Sequence, residues 1–156
     1  MKTLIVYDSM YGNTEKIARV IGEAIHGDVS VIRAGEANPL ELESVDLLVV
    51  GSPTQGFRAT KPIQALLKSI PDKVLHGKTV AAFDTRIPTA EVGKALRRLM
   101  KIGGYAAPRI ARALEKKGAK LAAPPEAFFV KDREGPLVEG ELERAAPWAK
   151  ELATSK

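Results

Sequence analysis

Short, mostly apolar runs alternate along the chain with segments whose apolar positions return every three or four residues. The runs are Thr3–Tyr7 (TLIVY), Val29–Ile32, Val45–Val50 (VDLLVV), Thr79–Phe83 (TVAAF) and Phe128–Val130. Each lacks strict polar alternation and so predicts a strand covered on both sides. Between them, Ile17, Ala18, Ile21, Ala24 and Ile25 follow Asn13 and Thr14 at helical spacing, and Gly27 supplies a stop. Ile63–Ile70 predicts a short helix. Ala90–Ile102 and Ala107–Lys117 predict two more, divided by Gly103-Gly104. Glu141–Leu152 closes the pattern as an amphipathic helix, with Pro147 expected to end or kink it. Residues 131–140 (KDREGPLVEG) read as a surface connection.

Buried strands each followed by a helix imply an α/β fold: a doubly wound, five-stranded parallel sheet in the order 2-1-3-4-5, with helices on both faces. At roughly 100–200 residues per domain, residues 1–156 are expected to form one domain. Ligands of such sheets bind beyond the carboxyl ends of the strands, where the winding reverses. The loops at 8–14, 51–61 and 84–89 are therefore the expected site. They are also the richest in Gly, Ser, Thr and Pro.

Composition removes several classes of chemistry. Cysteine is absent, which excludes disulfide frameworks, Cys-ligated zinc, iron–sulfur clusters and thiolate nucleophiles. The two histidines, His26 and His76, lie far apart and read as structural or surface residues, so no metal site is expected. No apolar run approaches the ~18 residues of a membrane span. The N-terminal run stops at Asp8 without a cleavage-site pattern, so a buried first strand and a cytoplasmic location are expected.

The net charge of +5 is uneven. Residues 1–80 balance nine basic against nine acidic residues, whereas 86–120 carry ten basic residues against Glu91 and Glu115. Such a segment is either a pair of solvated helix faces or a positive field for an anionic ligand, an acidic redox partner or nucleic acid. Tyr105 is its single aromatic, which argues against a stacking platform for single strands.

The first loop, Asp8-Ser9-Met10-Tyr11-Gly12-Asn13-Thr14, runs straight into a helix. Ser9, Asn13 and Thr14 bring short polar side chains, Gly12 permits a tight turn, and a helix N-terminus presents free N–H groups. That combination suits a phosphate; it also suits an ordinary helix cap. The chain contains neither GxxxxGK[ST] nor GxGxxG. In the second loop, Pro53, Thr54, Gln55 and Gly56 can border a flat heterocycle, and Phe57 can cover its face or tuck into the core. The third opens on Asp84, Thr85 and Arg86. Asp8 and Asp84, at neighbouring strand ends, can form a metal or acid/base pair, or cap turns.

With these residues in view, IVYDSMYGNTEKIA resembles the phosphate loop and first helix of flavodoxins, and VVGSPTQGF resembles their second flavin-contacting loop. The strand layout is similar over roughly residues 2–152. The first loop is most similar to the flavodoxin-like domain of the flavodiiron (A-type) flavoproteins and their stand-alone relatives. The resemblance implies FMN, with its phosphate held by Ser9, Met10, Tyr11, Gly12, Asn13 and Thr14. It implies the isoalloxazine between Pro53, Thr54, Gln55, Gly56 and Phe57 and the segment of Asp84, Thr85 and Arg86, with Tyr105 or Phe57 as the stacking aromatic. Three features depart from the usual pattern: Tyr11 replaces a usual Thr, the chain is basic where carrier flavodoxins are acidic, and residues 85–105 are longer than the usual flavin-covering loop.

The function implied is electron transfer, either as a carrier between redox proteins or as a small NAD(P)H-dependent reductase of a quinone-type acceptor. The competing expectation is a non-catalytic module with a degenerate flavin site that reads an acidic partner or nucleic acid through 86–120. Thiolate phosphatases of this fold are excluded by the absent cysteine. Phosphoacceptor receivers are excluded by Gly51-Ser52-Pro53, where an Asp would be needed.

Overall fold

The computed structural model describes residues 1–88 and 104–154. Six strands, β1 (Lys2–Tyr7), β2 (Asp28–Arg33), β3 (Leu47–Pro53), β4 (Thr79–Arg86), β5 (Lys120–Leu121) and β6 (Glu126–Phe129), form one parallel sheet. Its order is β2-β1-β3-β4-β5, with β6 also pairing with β4. Among the described residues, four α-helices accompany it: α1 (Asn13–Ala24), α2 (Lys61–Ser69), α3 (Ala106–Lys116) and α4 (Glu141–Thr154). The helix expected at Ala90–Ile102 lies outside the described residues.

Both faces of β1, β3 and β4 are dry, which explains their apolar runs; the edge strand β2 holds no fully buried residue, contrary to the expectation that Val29–Ile32 is covered on both sides. Leu4, Val6, Leu48, Val50, Val80 and Ala82 pack on one side with Ile63 and Leu66 of α2 and Ile110 and Leu114 of α3. Ile5, Tyr7, Leu47, Val49, Ala81 and Phe83 pack on the other with Ile17 and Ile21 of α1 and Trp148 and Leu152 of α4. Successive residues of one strand thus enter different cores, as a period of two requires. Phe83, Phe128 and Trp148 meet edge to face, with centroids 5.9–6.1 Å apart.

Three further expectations need correction. The fifth strand is two short pieces on β4 rather than Phe128–Val130, because Ala122–Pro125 break the run between them. Strands β3 and β4 continue through Gly51-Ser52-Pro53 and Asp84-Thr85-Arg86, in register as Ser52↔Asp84 and Pro53↔Thr85. Helix α4 runs through Pro147 to Thr154. Burial of Ala145, Trp148, Ala149 and Leu152 outweighs the lost backbone bond. Residues 131–140 form the expected connection at the surface, with no buried residue, and it is anchored. Val130 bridges Leu137, and the Asn13 amide donates to the Glu134 carbonyl at 3.2 Å, pinning the segment against the start of α1.

No helix among the described residues is long and apolar enough to cross a membrane.

Candidate functional site

Register alone brings three loops together at the carboxyl end of the sheet. Tyr7 pairs with Gly51, and Gly51 with Phe83, so β1, β3 and β4 end side by side. Single backbone bonds extend the ladder past them: the Asp8 amide donates to the Gly51 carbonyl (3.1 Å), Thr54 to Thr85 (3.0 Å) and Val130 to Arg86 (2.9 Å). Between these loops lies a cleft of about 440 Å³, within the roughly 300–1,000 Å³ usual for small-molecule sites.

Its first wall is the Ser9–Thr14 loop. Gly12 precedes α1 at φ 91°, a left-handed conformation open to glycine, and α1 has no side-chain cap. The cap expected from Asn13 or Thr14 is therefore not made. The Ser9 hydroxyl instead accepts the Gly12 amide at 3.0 Å and braces the turn. Asn13 and Thr14 are buried and both line the cleft. The uncapped N-terminus, with its orphan N–H groups and partial positive charge, thus opens on a cavity lined by hydroxyls and an amide. These are the donors a phosphate monoester requires, and the residues fit that group. Arg33 steadies the loop from outside, donating to the Ser9 carbonyl (3.3 Å) and lying 3.8 Å from Asp8 and 3.3 Å from Glu15. Hydrogen bonding from Arg19 outweighs burial and holds the Glu15 carboxyl below its ordinary range; burial, then the charge of Glu15, pushes the Tyr7 hydroxyl up.

The second wall is a tight turn. Gln55 and Arg58 exchange backbone bonds of 2.8 and 3.0 Å around Gly56 (φ 54°) and Phe57 (φ 67°). Positive φ at both central positions defines a type I′ turn. Pro53, Thr54, Gln55 and Gly56 line the cleft, whereas Phe57 is half-buried and does not. Phe57 is thus the one residue of the expected 53–57 set that is not among the lining residues.

The third wall comes from β4. Thr85 and Arg86 line the cleft, and the Thr85 hydroxyl meets that of Thr14 at 2.8 Å, tying the first and third walls. Asp84 does not reach the cleft. It is fully buried, accepts both Arg86 Nε and a terminal nitrogen at 2.7 Å, and accepts the Ala107 amide at 2.9 Å. It therefore positions Arg86 and caps α3, and does not pair with Asp8. Tyr105, the other expected stacking aromatic, lies under Arg86, whose guanidinium carbon is 3.5 Å from its ring centroid. Tyr11, 44 % exposed, lines the cleft instead.

Ile87, Val130 and Arg133 also line the cleft and escaped the sequence reading. Ile87 lies within the expected 84–89 loop. Val130 arrives by extending the β4–β6 ladder, its amide bonded to the Arg86 carbonyl, and Arg133 arrives with the 131–140 segment that Asn13 holds at Glu134.

Residues 4–101 match the model of the flavodoxin domain family. The chain is 30 % identical over 112 residues to a putative diflavin flavoprotein A 4 of Synechocystis, covering 67 % of this chain and 19 % of that relative, so it spans about a fifth of that protein. Among solved structures, oxidised flavodoxin 1 of Bacillus cereus superposes with a TM-score of 0.78 at 18 % identity, covering 100 % of this chain and 99 % of that one. The rubredoxin oxygen:oxidoreductase of Desulfovibrio gigas superposes with a TM-score of 0.69 at 23 % identity, over 97 % of this chain and 35 % of that one. On the family match, which takes in both loop motifs, the chain belongs to the flavodoxin domain family, whose cofactor is FMN.

Proposed function

We propose that this chain holds FMN in the cleft and carries electrons between that cofactor and a redox partner protein. The uncapped α1 N-terminus opening on the Ser9–Thr14 cradle carries the reading. Its amides, with the Ser9 and Thr14 hydroxyls and the Asn13 amide, are the groups that would hold the phosphate. Thr54, Gln55 and Gly56 on one side, with Thr85, Arg86 and Ile87 on the other, would hold the isoalloxazine.

When bound, FMN supplies the one- and two-electron chemistry. The chain's own contribution is position and field. The type I′ turn presents the Gln55 and Gly56 peptides at the cleft, and the Asp84–Arg86 pair fixes a guanidinium at its wall. A cation held there favours electron density on a neighbouring ring. Tyr11, the aromatic lining the cleft, is the side chain placed to cover one ring face.

The test is the visible spectrum of purified protein after incubation with FMN and desalting. Retained bands near ~370 and ~450 nm, lost in parallel with affinity in Thr14→Ala, support the assignment. A colourless protein overturns it and favours a module with a degenerate site. NAD(P)H oxidation by the loaded protein alone would replace the carrier reading with a reductase of quinone-type acceptors.

A further inference from the structure

A second concavity, of about 270 Å³, lies between α2 and α3 on the sheet face away from α1. Ala59, Leu67, Ile110 and Ala113 make its apolar floor, and the cations Arg58 and Lys68 stand at its rim with Arg109 and Gln64 also lining it; no carboxylate lines it among the described residues. The helices extend the same sign. Lys61 and Lys68 on α2, and Arg112 and Lys116 on α3, are exposed, against Glu115 as the one acid of either helix. Arg109, Arg112 and Lys116 stand at i, i+3 and i+7, on one face of α3.

We propose that this face docks a small acidic electron-transfer protein, the partner class for the carrier reading on which this inference rests. Like charges gathered around an apolar floor are stabilised when an anionic surface covers them. An apolar centre inside a charged rim is the anatomy of a protein interface. Nucleic acid fits less well, because among the described residues no aromatic lines the groove to stack a base. Position supports the same occupant. Arg58 closes the turn whose Gln55 and Gly56 line the cleft, and α3 begins where the Ala106 amide donates to Thr54 Oγ1 at 3.0 Å. A partner seated in the groove therefore abuts the loop that would hold the flavin.

Electron transfer from the reduced, FMN-loaded protein is measured by stopped flow to two probes, an acidic [2Fe–2S] ferredoxin and basic cytochrome c. Rates with ferredoxin are expected to fall as salt rises, and by about tenfold in the Lys68→Glu/Arg112→Glu variant. Lys150→Glu, on the opposite sheet face, changes the net charge with little effect. FMN retention is checked in every variant and stays unchanged. Equal loss in Lys150→Glu, a faster reaction with cytochrome c, or displacement of ferredoxin by a single-stranded oligonucleotide would overturn the proposal. Failure to retain FMN is a separate result that sinks the cofactor reading. Ferredoxin binding to the flavin-free protein, followed by calorimetry with the same charge reversals, then decides the docking face on its own.

Discussion

Arg86 and Asp84 form a two-pronged ion pair across a single intervening residue, with both nitrogen–oxygen distances at 2.7 Å. Alternate residues of a strand share a face, so the pair needs only the β4 backbone to bring it together. Its two ends differ sharply: Asp84 is fully buried, while Arg86 borders the cleft and rests on Tyr105. Removing the cation strands a buried carboxylate. Arg86→Gln is expected to lower stability by about 3–5 kcal/mol, read as a shift of the urea midpoint. In the FMN-loaded variant the midpoint potential is expected to fall, since the positive charge at the wall is gone. An unchanged potential would remove Arg86 from the flavin's surroundings.

The Ser9 hydroxyl braces Gly12, and the Thr14 hydroxyl joins Thr85. Ser9→Ala and Thr14→Ala should each weaken FMN binding by about 1–3 kcal/mol. Fluorescence titration of FMN measures this directly. Unaltered affinity in both variants would show that the phosphate lies elsewhere.

Gly51 sits beneath the ring of Phe83, and a Cβ there would lie 2.0 Å from the ring's Cζ. Gly51→Ala must displace a fully buried aromatic that packs on Phe128 and Trp148. We expect a loss of about 1–3 kcal/mol or more from overpacking, partly recovered by adding Phe83→Leu. A wild-type melting temperature in the single variant would contradict the close approach.

Burial by itself would raise the Glu141 carboxyl, but hydrogen bonds from Arg144 and the Phe129 amide outweigh it and hold the group below its ordinary value. A lowered folded-state value means that its stabilisation is present above the unfolded carboxylate range and is lost as pH falls through the folded value. Unfolding midpoints of wild type and Glu141→Gln should therefore differ at neutral pH and converge in acid below about pH 4. A gap that stays constant from neutral to acid pH would rule out this linkage.

Much of this protein is written in local patterns. Short apolar runs such as LLVV, set between turn signals, read as strands with two dry faces, and Ile17, Ala18 and Ile21 as one face of a helix. A sheet so wound places its ligands at the carboxyl ends of its strands, which is why the Ser9–Thr14 and Pro53–Gly56 segments were legible before any coordinates.

Tertiary structure decided what depends on contacts between residues distant in the chain. Asp84 is turned to Arg86 and the Ala107 amide by a buried ion pair, and spacing carries no information about that. Val130 entered the site by bonding to the Arg86 carbonyl, and Arg133 because Glu134 meets Asn13 across 121 positions. Pro147 stayed helical because Trp148 and Leu152 had a core to fill. Periodicity records which face of an element is dry; only packing determines which neighbour makes it so.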